Sequence, residues 1–327
     1  MKDPWSPIAA IDVIAAARRL EGIATRTPLR RSEKLSALAG VDVWLKLECL
    51  QVTGSFKLRG AYNALAQLRP EERRGGIVAA SAGNHGLGVS WSARALGLQA
   101  TIFVPRDAPR RKRDGIVALG ATVNEDGMGY DDAHARAMAF ALASGATYID
   151  PCSTAPILAG QGTIALEIVH ELPDPGTLVT PYGGGGLAGG MGDFLRAVAP
   201  EVRIIGVQSG NADAIARSLD AGRVVPIADD PTLADGLAGQ ADEGGLEIAR
   251  RVLDDMVVVS EEELGESMAW LVREEGLTVE GAGAVGAAAI LHRKLPSLRP
   301  PIVLIISGGN VDEIRVASLL ERYRPMS

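Results

Sequence analysis

The chain has 327 residues, enough for one large or two moderate domains that each bury a real core. Its 33 basic and 40 acidic residues leave a formal charge of −7, which argues against nucleic acid or an anionic membrane surface as a partner. Glycine is abundant (39 residues) while aromatics make up only 4%, a composition suited to closely packed helices and tight strand-to-helix turns.

In chain order, Ser6 and Pro7 read as the N-cap and first residue of a helix that runs to about Leu20. The residues before them lack an apolar signal core, and no stretch is long and apolar enough to span a bilayer, so a cytoplasmic protein is expected. A strand is expected at 41–47, and a helix at 57–68 with Leu58, Ala61, Leu65 and Leu68 on its apolar face. Further strands are expected at 76–80, 100–104, 178–181, 203–208, 256–259 and 301–306. Helices are expected at 86–96, 109–119, 131–143, 162–172, 187–198, 261–275 and 285–295, with one more after Asn310. This alternation calls for an α/β layered fold with mostly parallel strands. The basic run Arg106 to Arg113 reads as a solvated helix face. Cys49 and Cys152 have neither a disulfide framework nor metal-ligand spacing around them and read as reduced packing residues.

Three segments carry chemistry. Lys57 lies in Thr53-Gly54-Ser55-Phe56-Lys57-Leu58-Arg59-Gly60-Ala61, between a small hydroxyl residue and a helical run. Gly183-Gly184-Gly185-Gly186-Leu187 follows a strand and opens a helix, so unhindered amides and a helix N-terminus face one point, a cradle for a phosphate. Ser307-Gly308-Gly309-Asn310 places a hydroxyl at a strand end. A lysine, a phosphate cradle and that hydroxyl together describe a pyridoxal phosphate pocket, with Lys57 as its amine. Ser81-Ala82-Gly83-Asn84-His85-Gly86 also follows a strand and opens a helix. Its amides and the Ser81 hydroxyl suit a substrate carboxylate, and Asn84 suits the cofactor's phenolic oxygen. His85 reads as a turn-stabilising residue or a general acid. Gly83, Gly86 and Gly88 lack dinucleotide spacing, and Gly-Lys-Ser/Thr is absent from the tetraglycine.

These segments, with Lys46-Leu47-Glu48, Ala159-Gly160-Gln161-Gly162-Thr163, Ala234-Asp235-Gly236 and Glu280-Gly281-Ala282-Gly283, occur in one order along one chain. In that order the sequence resembles the threonine ammonia-lyase and serine racemase branch of the tryptophan-synthase-β-like, fold type II pyridoxal phosphate enzymes. The resemblance implies a large cofactor-binding domain at 1–72 and 151–327, a small domain at 73–150 and a homodimer. It makes Lys57 both the Schiff-base lysine and the base at the substrate Cα. It sets Ser307 opposite the pyridine nitrogen, a neutral partner that favours β-elimination over transamination. Phe56, Asn84, Gly183 to Gly186, Leu187 and Glu280 join the cofactor set, although Glu280 reads equally well as a surface helix residue. Ser81, Ala82, Gly83, Asn84 and His85 form the substrate set.

The departures matter too. Racemases of this branch carry a second serine where this chain has Ala82, which offers no transferable proton. The branch's divalent cation site uses two carboxylates where this chain has Gln208 and Ala214, so no metal is expected there. The regulatory region that biosynthetic threonine ammonia-lyases carry has no counterpart after Asn310, so feedback control through one is not expected. The reading is an L-threonine or L-serine ammonia-lyase acting on a small amino acid. Alternatives are a dehydratase of another 3-hydroxy amino acid or of a catabolic intermediate, as in hydroxyectoine use, less readily a serine racemase, and a non-catalytic phosphometabolite-binding module.

Overall fold

The computed structural model describes residues 5–81, 83–106, 108 and 110–324. Its strands, in chain order, are β1 (Leu29–Arg31), β2 (Val43–Lys46), β3 (Ile77–Ala80), β4 (Ala100–Pro105), β5 (Thr122–Gly127), β6 (Thr147–Tyr148), β7 (Thr177–Pro181), β8 (Arg203–Ser209), β9 (Asp255–Val259) and β10 (Ile302–Ile305). They form a six-stranded sheet ordered β1-β2-β10-β7-β8-β9 and a four-stranded sheet ordered β5-β4-β3-β6. Among these strands of the described residues, β1–β2 is the one antiparallel pairing. This is the mostly parallel α/β architecture that the alternation of elements called for.

The larger sheet is covered on both faces, as a parallel sheet requires. Side chains alternate along each strand, so Ile302 and Leu304 enter one core with the Gly281–Leu291 helix, while Val303 and Ile305 enter another with helices Ala155–Glu171 and Gly186–Val198. The smaller sheet divides likewise. Ile77, Ala79, Ile102 and Val104 face Ala61 and Leu65 of the Lys57–Ala66 helix, and Val78, Ala80 and Phe103 face Ala133 and Ala137 of the Tyr130–Ser144 helix. The Lys57–Ala66 helix thus precedes the four strands in sequence yet packs into their core.

Some boundaries differ from expectation. The first helix spans Ala10–Leu20, with Ala9 at its N-cap and the Asp12 carboxylate accepting from the Ala9 amide at 3.0 Å; Ser6 and Pro7 lie outside it. The helix expected from residue 162 begins at Ala155, and Gly160 and Gly162 are contact points inside it. A Cβ on Gly160 would stand 2.5 Å from the Arg59 carbonyl oxygen, and one on Gly162 would stand 2.7 Å from the Gly190 carbonyl oxygen. Side chains at either place would push the Lys57–Ala66 and Gly186–Val198 helices away. Edge strand β5, with its exposed Thr122, Glu125 and Asp126, and two-residue β6 carry too little apolar pattern to have been read. Helix Glu243–Val252 was hidden by Gly244 and Gly245; its N-cap Asp242 accepts from the Gly245 amide at 2.6 Å.

Candidate active site

A cavity of about 480 Å³ lies at the C-terminal ends of β3, β6, β7 and β10. Parallel sheets collect ligand sites at such ends, because the strand-to-helix turns there leave amides and helix N-termini unpaired. Phe56, Lys57, Ser81, Gly83, Asn84, His85, Gly183 to Gly186, Leu187, Glu280 and Ser307 all line it. Ala82 lies outside the described residues.

Lys57 is the first residue of its helix, where the backbone is tied to the end of β10. Ser55 bridges Gly308, and the Phe56 amide donates to the Ser307 carbonyl at 3.1 Å. The Ser307 hydroxyl residue and the Lys57 helix are therefore fixed to each other by main chain. The Lys57 ammonium donates to the Pro151 carbonyl at 3.0 Å, lies 3.9 Å from the Cys152 thiol and stands 5.3 Å from the centre of the Phe56 ring.

The tetraglycine runs from β7 into the Gly186–Val198 helix, with Gly185 at φ 86° in the left-handed region that favours glycine. A Cβ on Gly184 would lie 3.0 Å from the Cys152 sulfur, and one on Gly186 only 2.8 Å from the Cys152 Cα. Residue 152, which read as packing, is thus a wall of the loop. Both cysteines are free, but Cys152 lines the cavity.

The Asn84–Ala95 helix opens the substrate loop. The Ser81 hydroxyl accepts from the Gly83 amide at 3.0 Å. Nε2 of His85 faces the Ile149 carbonyl at 3.0 Å; a carbonyl only accepts, so the proton is on Nε2. Burial, with the Lys57 charge, lowers the His85 pKa to about 4, which favours a neutral ring at physiological pH and the turn-stabilising reading. Gly86 and Gly88 serve packing, since Cβ atoms there would approach Ile116 at 2.9 Å and the Lys57 carbonyl carbon at 3.1 Å.

Glu280 is 2% exposed and N-caps the Gly281–Leu291 helix, which removes the surface reading. Its carboxylate accepts from Asn84 Nδ2 at 2.5 Å and lies 3.7 Å from Lys112 Nζ, which also meets Asp235 at 2.7 Å. The basic run is hence not wholly a solvated face: Arg110 and Arg111 are exposed, whereas Lys112 is 5% exposed and points into the cavity wall. The sequence reading also missed Tyr130, His134, Tyr148 and Asp150, which line the end of the cavity beside Cys152. No motif marks them, because they sit on or beside the short strands and helices of the smaller sheet.

Beneath the site lies a buried ionic cluster that gives Lys46-Leu47-Glu48 its meaning. Arg59, 1% exposed, donates from Nε and a terminal nitrogen to Glu48 at 2.9 and 2.8 Å, and to Glu167 at 2.6 and 3.0 Å. Lys46 donates to Glu167 at 2.6 Å, and the Thr27 hydroxyl to Glu48 at 2.5 Å. Two cations and two carboxylates compensate one another next to the residue that follows Lys57 by two positions.

Gln208 uses its amide to join Tyr182 to the Ala214–Ala221 helix, donating to the Tyr182 carbonyl at 3.0 Å and accepting from the Ala216 amide at 2.8 Å. Asp213 pairs with Arg217 at 2.8 Å. A hard divalent ion seeks several oxygen ligands. EDTA is therefore expected to change neither activity nor melting temperature, and a rise in melting temperature with Mg²⁺ or Ca²⁺ at constant ionic strength would contradict this.

Comparisons with known proteins point to the same cofactor class. A family model described as "Pyridoxal-phosphate dependent enzyme" matches residues 20–308. An L-threonine ammonia-lyase of Thermotoga maritima is 43% identical over 303 residues, 92% of this chain and 75% of that protein. A catabolic L-threonine dehydratase of Escherichia coli is 39% identical over 317 residues, 96% of each chain. A solved maize serine racemase superposes with a TM-score of 0.91 at 29% identity, covering 97% of this chain and 98% of that one.

Proposed function

The chain belongs to the pyridoxal-phosphate dependent enzyme family, and we propose that it is an ammonia-lyase converting L-threonine, L-serine or both to 2-oxobutanoate or pyruvate and ammonia. The observation that carries this reading is the convergence of Lys57, the tetraglycine and Ser307 on one cavity.

The residues present fit the cofactor. The cavity lies within the ~300–1,000 Å³ range of small-molecule sites. Gly184 and Gly186 leave a cradle that any side chain would fill against Cys152, and Glu280 Oε2 is buried without a hydrogen-bond partner among the described residues. When bound, pyridoxal phosphate supplies an aldehyde for amines and a ring that takes up electrons from the substrate Cα. Lys57 would hold it through its amine and afterwards take the proton from Cα. Amides of Gly183 to Gly186, at the N-terminus of the Gly186–Val198 helix, would bind the phosphate, with Phe56 and Leu187 beside it. The Ser307 hydroxyl would face the ring nitrogen, and Asn84 the phenolic oxygen. Ser81, Gly83, Asn84 and neutral His85, with Ala82, would receive the substrate carboxylate. This reading takes 73–150 as a small domain and 1–72 with 151–327 as the large one, in a cytoplasmic homodimer.

The test is release of 2-oxo acid from a panel of L-threonine, L-serine and larger 3-hydroxy amino acids. Release from the first two is expected, and release from none would sink the reading. A preference for the larger substrates would favour the alternative dehydratase, with Tyr130, His134, Tyr148 and Asp150 of the cavity lining as candidate side-chain contacts. Unreacted serine is expected to remain L, because Lys57 works on one face and Ala82 has no proton to give from the other. Accumulating D-serine would overturn the choice of lyase over racemase.

A further inference from the structure

Lys112 lies on the Arg110–Ala118 helix beside the smaller sheet, yet it ends among residues that come from the larger one. Its path is made by Gly83: a Cβ there would stand 2.7 Å from Lys112 Cδ and 3.0 Å from its Nζ. The side chain passes through that gap to Asp235 at 2.7 Å and Glu280 at 3.7 Å.

Beyond Glu280 runs a chain of hydrogen bonds whose direction is fixed from its far end. The Thr53 carbonyl can only accept, so Asn310 turns its amide nitrogen to it, at 2.8 Å. The same nitrogen donates to Asn84 Oδ1 at 2.8 Å. Asn84, which also lines the cavity, therefore turns Nδ2 toward Glu280, which accepts at 2.5 Å, and has a second Nδ2 hydrogen to donate. An ionised Glu280 offers acceptors only and fixes this direction, whereas a protonated carboxyl could turn an O–H toward Asn84 instead.

We propose that Lys112 is a positioning residue for the reaction: it keeps Glu280 ionised and so an acceptor only, and through Glu280 it fixes which way the Asn84 amide is turned at the cavity. The geometry leaves few substitutes for it. Asp235 is a second carboxylate beside Glu280 and opposes its ionisation, the Cys49 thiol on the adjoining element is neutral and pushed up to about 12 by burial, and Arg315 acts on Lys112 by repulsion. Burial raises the Glu280 pKa to about 7 from 4.5, with Lys112 the leading influence in the other direction. Without that cation a carboxyl this deeply buried takes a proton at still higher pH.

The stability arm of the test does not depend on the lyase reading. A folded-state carboxyl raised above its unfolded value binds a proton that the unfolded chain has released. Stability therefore falls as pH climbs from the unfolded pKa to the folded one. In cofactor-free protein, Lys112→Met is expected to extend that fall in melting temperature further above neutral than in the parent. Adding Glu280→Gln to Lys112→Met is expected to remove the extension. The kinetic arm rests on the lyase reading: in holoenzyme, Lys112→Met is expected to move the acid limb of kcat upward by about one pH unit, a tenfold loss on that limb. Lys112→Arg is expected to restore it. Unchanged limbs and unchanged pH dependence of melting in Lys112→Met would overturn the proposal. A parent that forms no 2-oxo acid while the melting pattern holds would instead overturn the lyase reading and confine Lys112 to holding Glu280.

Discussion

Lys57→Ala is expected to abolish 2-oxo acid release while the protein stays folded. The change removes the amine that would hold the cofactor and the base that would take the Cα proton. A general base alone is worth about 10²–10⁴-fold, and loss of the covalent attachment adds to that. The fold should tolerate it. Lys57 opens its helix, alanine is the best helix former, and the lost side-chain contact is one donation to the Pro151 carbonyl together with the approach to Phe56 and Cys152. Cofactor retention through gel filtration, turnover and circular dichroism measured on one preparation decide it. Near-normal turnover in cofactor-loaded Lys57→Ala would remove the assignment, and loss of the native spectrum would show a structural role instead.

Arg59→Met is expected to cost about 3–5 kcal/mol, because removing one partner of a buried ion cluster leaves uncompensated charge. In the parent, burial pushes the Glu48 carboxyl up, but the Arg59 charge and its hydrogen bonds outweigh this and hold it below its usual range. That contribution is present above the unfolded pKa and is lost as pH falls through the folded one. In the variant, Glu48 and Glu167 share only Lys46 and the Thr27 hydroxyl, so burial prevails and Glu48 takes a proton at higher pH. The gap in melting temperature between parent and variant should therefore be widest at neutral to alkaline pH and narrow toward acid. A gap below about 1 kcal/mol, the worth of an exposed pair, would mean that the cluster is solvated in solution. Because Arg59 lies two residues beyond Lys57, the variant should also bind cofactor less tightly.

Lys57, the tetraglycine and Ser307 were legible because each lies between a strand and the next helix, in a local run of small or hydroxyl residues that the sequence spells out. The strand-and-helix alternation was legible for the same reason: periods of two and of about 3.6 are written in neighbouring residues. Where glycine had two meanings the sequence was ambiguous. Gly162 read as the first residue of a helix, and with Gly160 it is instead the close contact in that helix's interior.

The sequence by itself determined most of the element types and brought out the candidate amine and amide cradle, because these follow from covalent neighbours and local backbone preference. Tertiary structure alone decided that Lys112 leaves its basic run to meet Asp235, 123 positions away, and that Cys152 walls the glycine loop. It likewise decided that Glu280 is buried at the end of a directed hydrogen-bond chain from Thr53. Those facts depend on charge and space supplied by residues distant in the chain. A lysine has the same formula on a solvated helix face and in a cleft, and only the folded packing around it removes the water that would otherwise screen its charge.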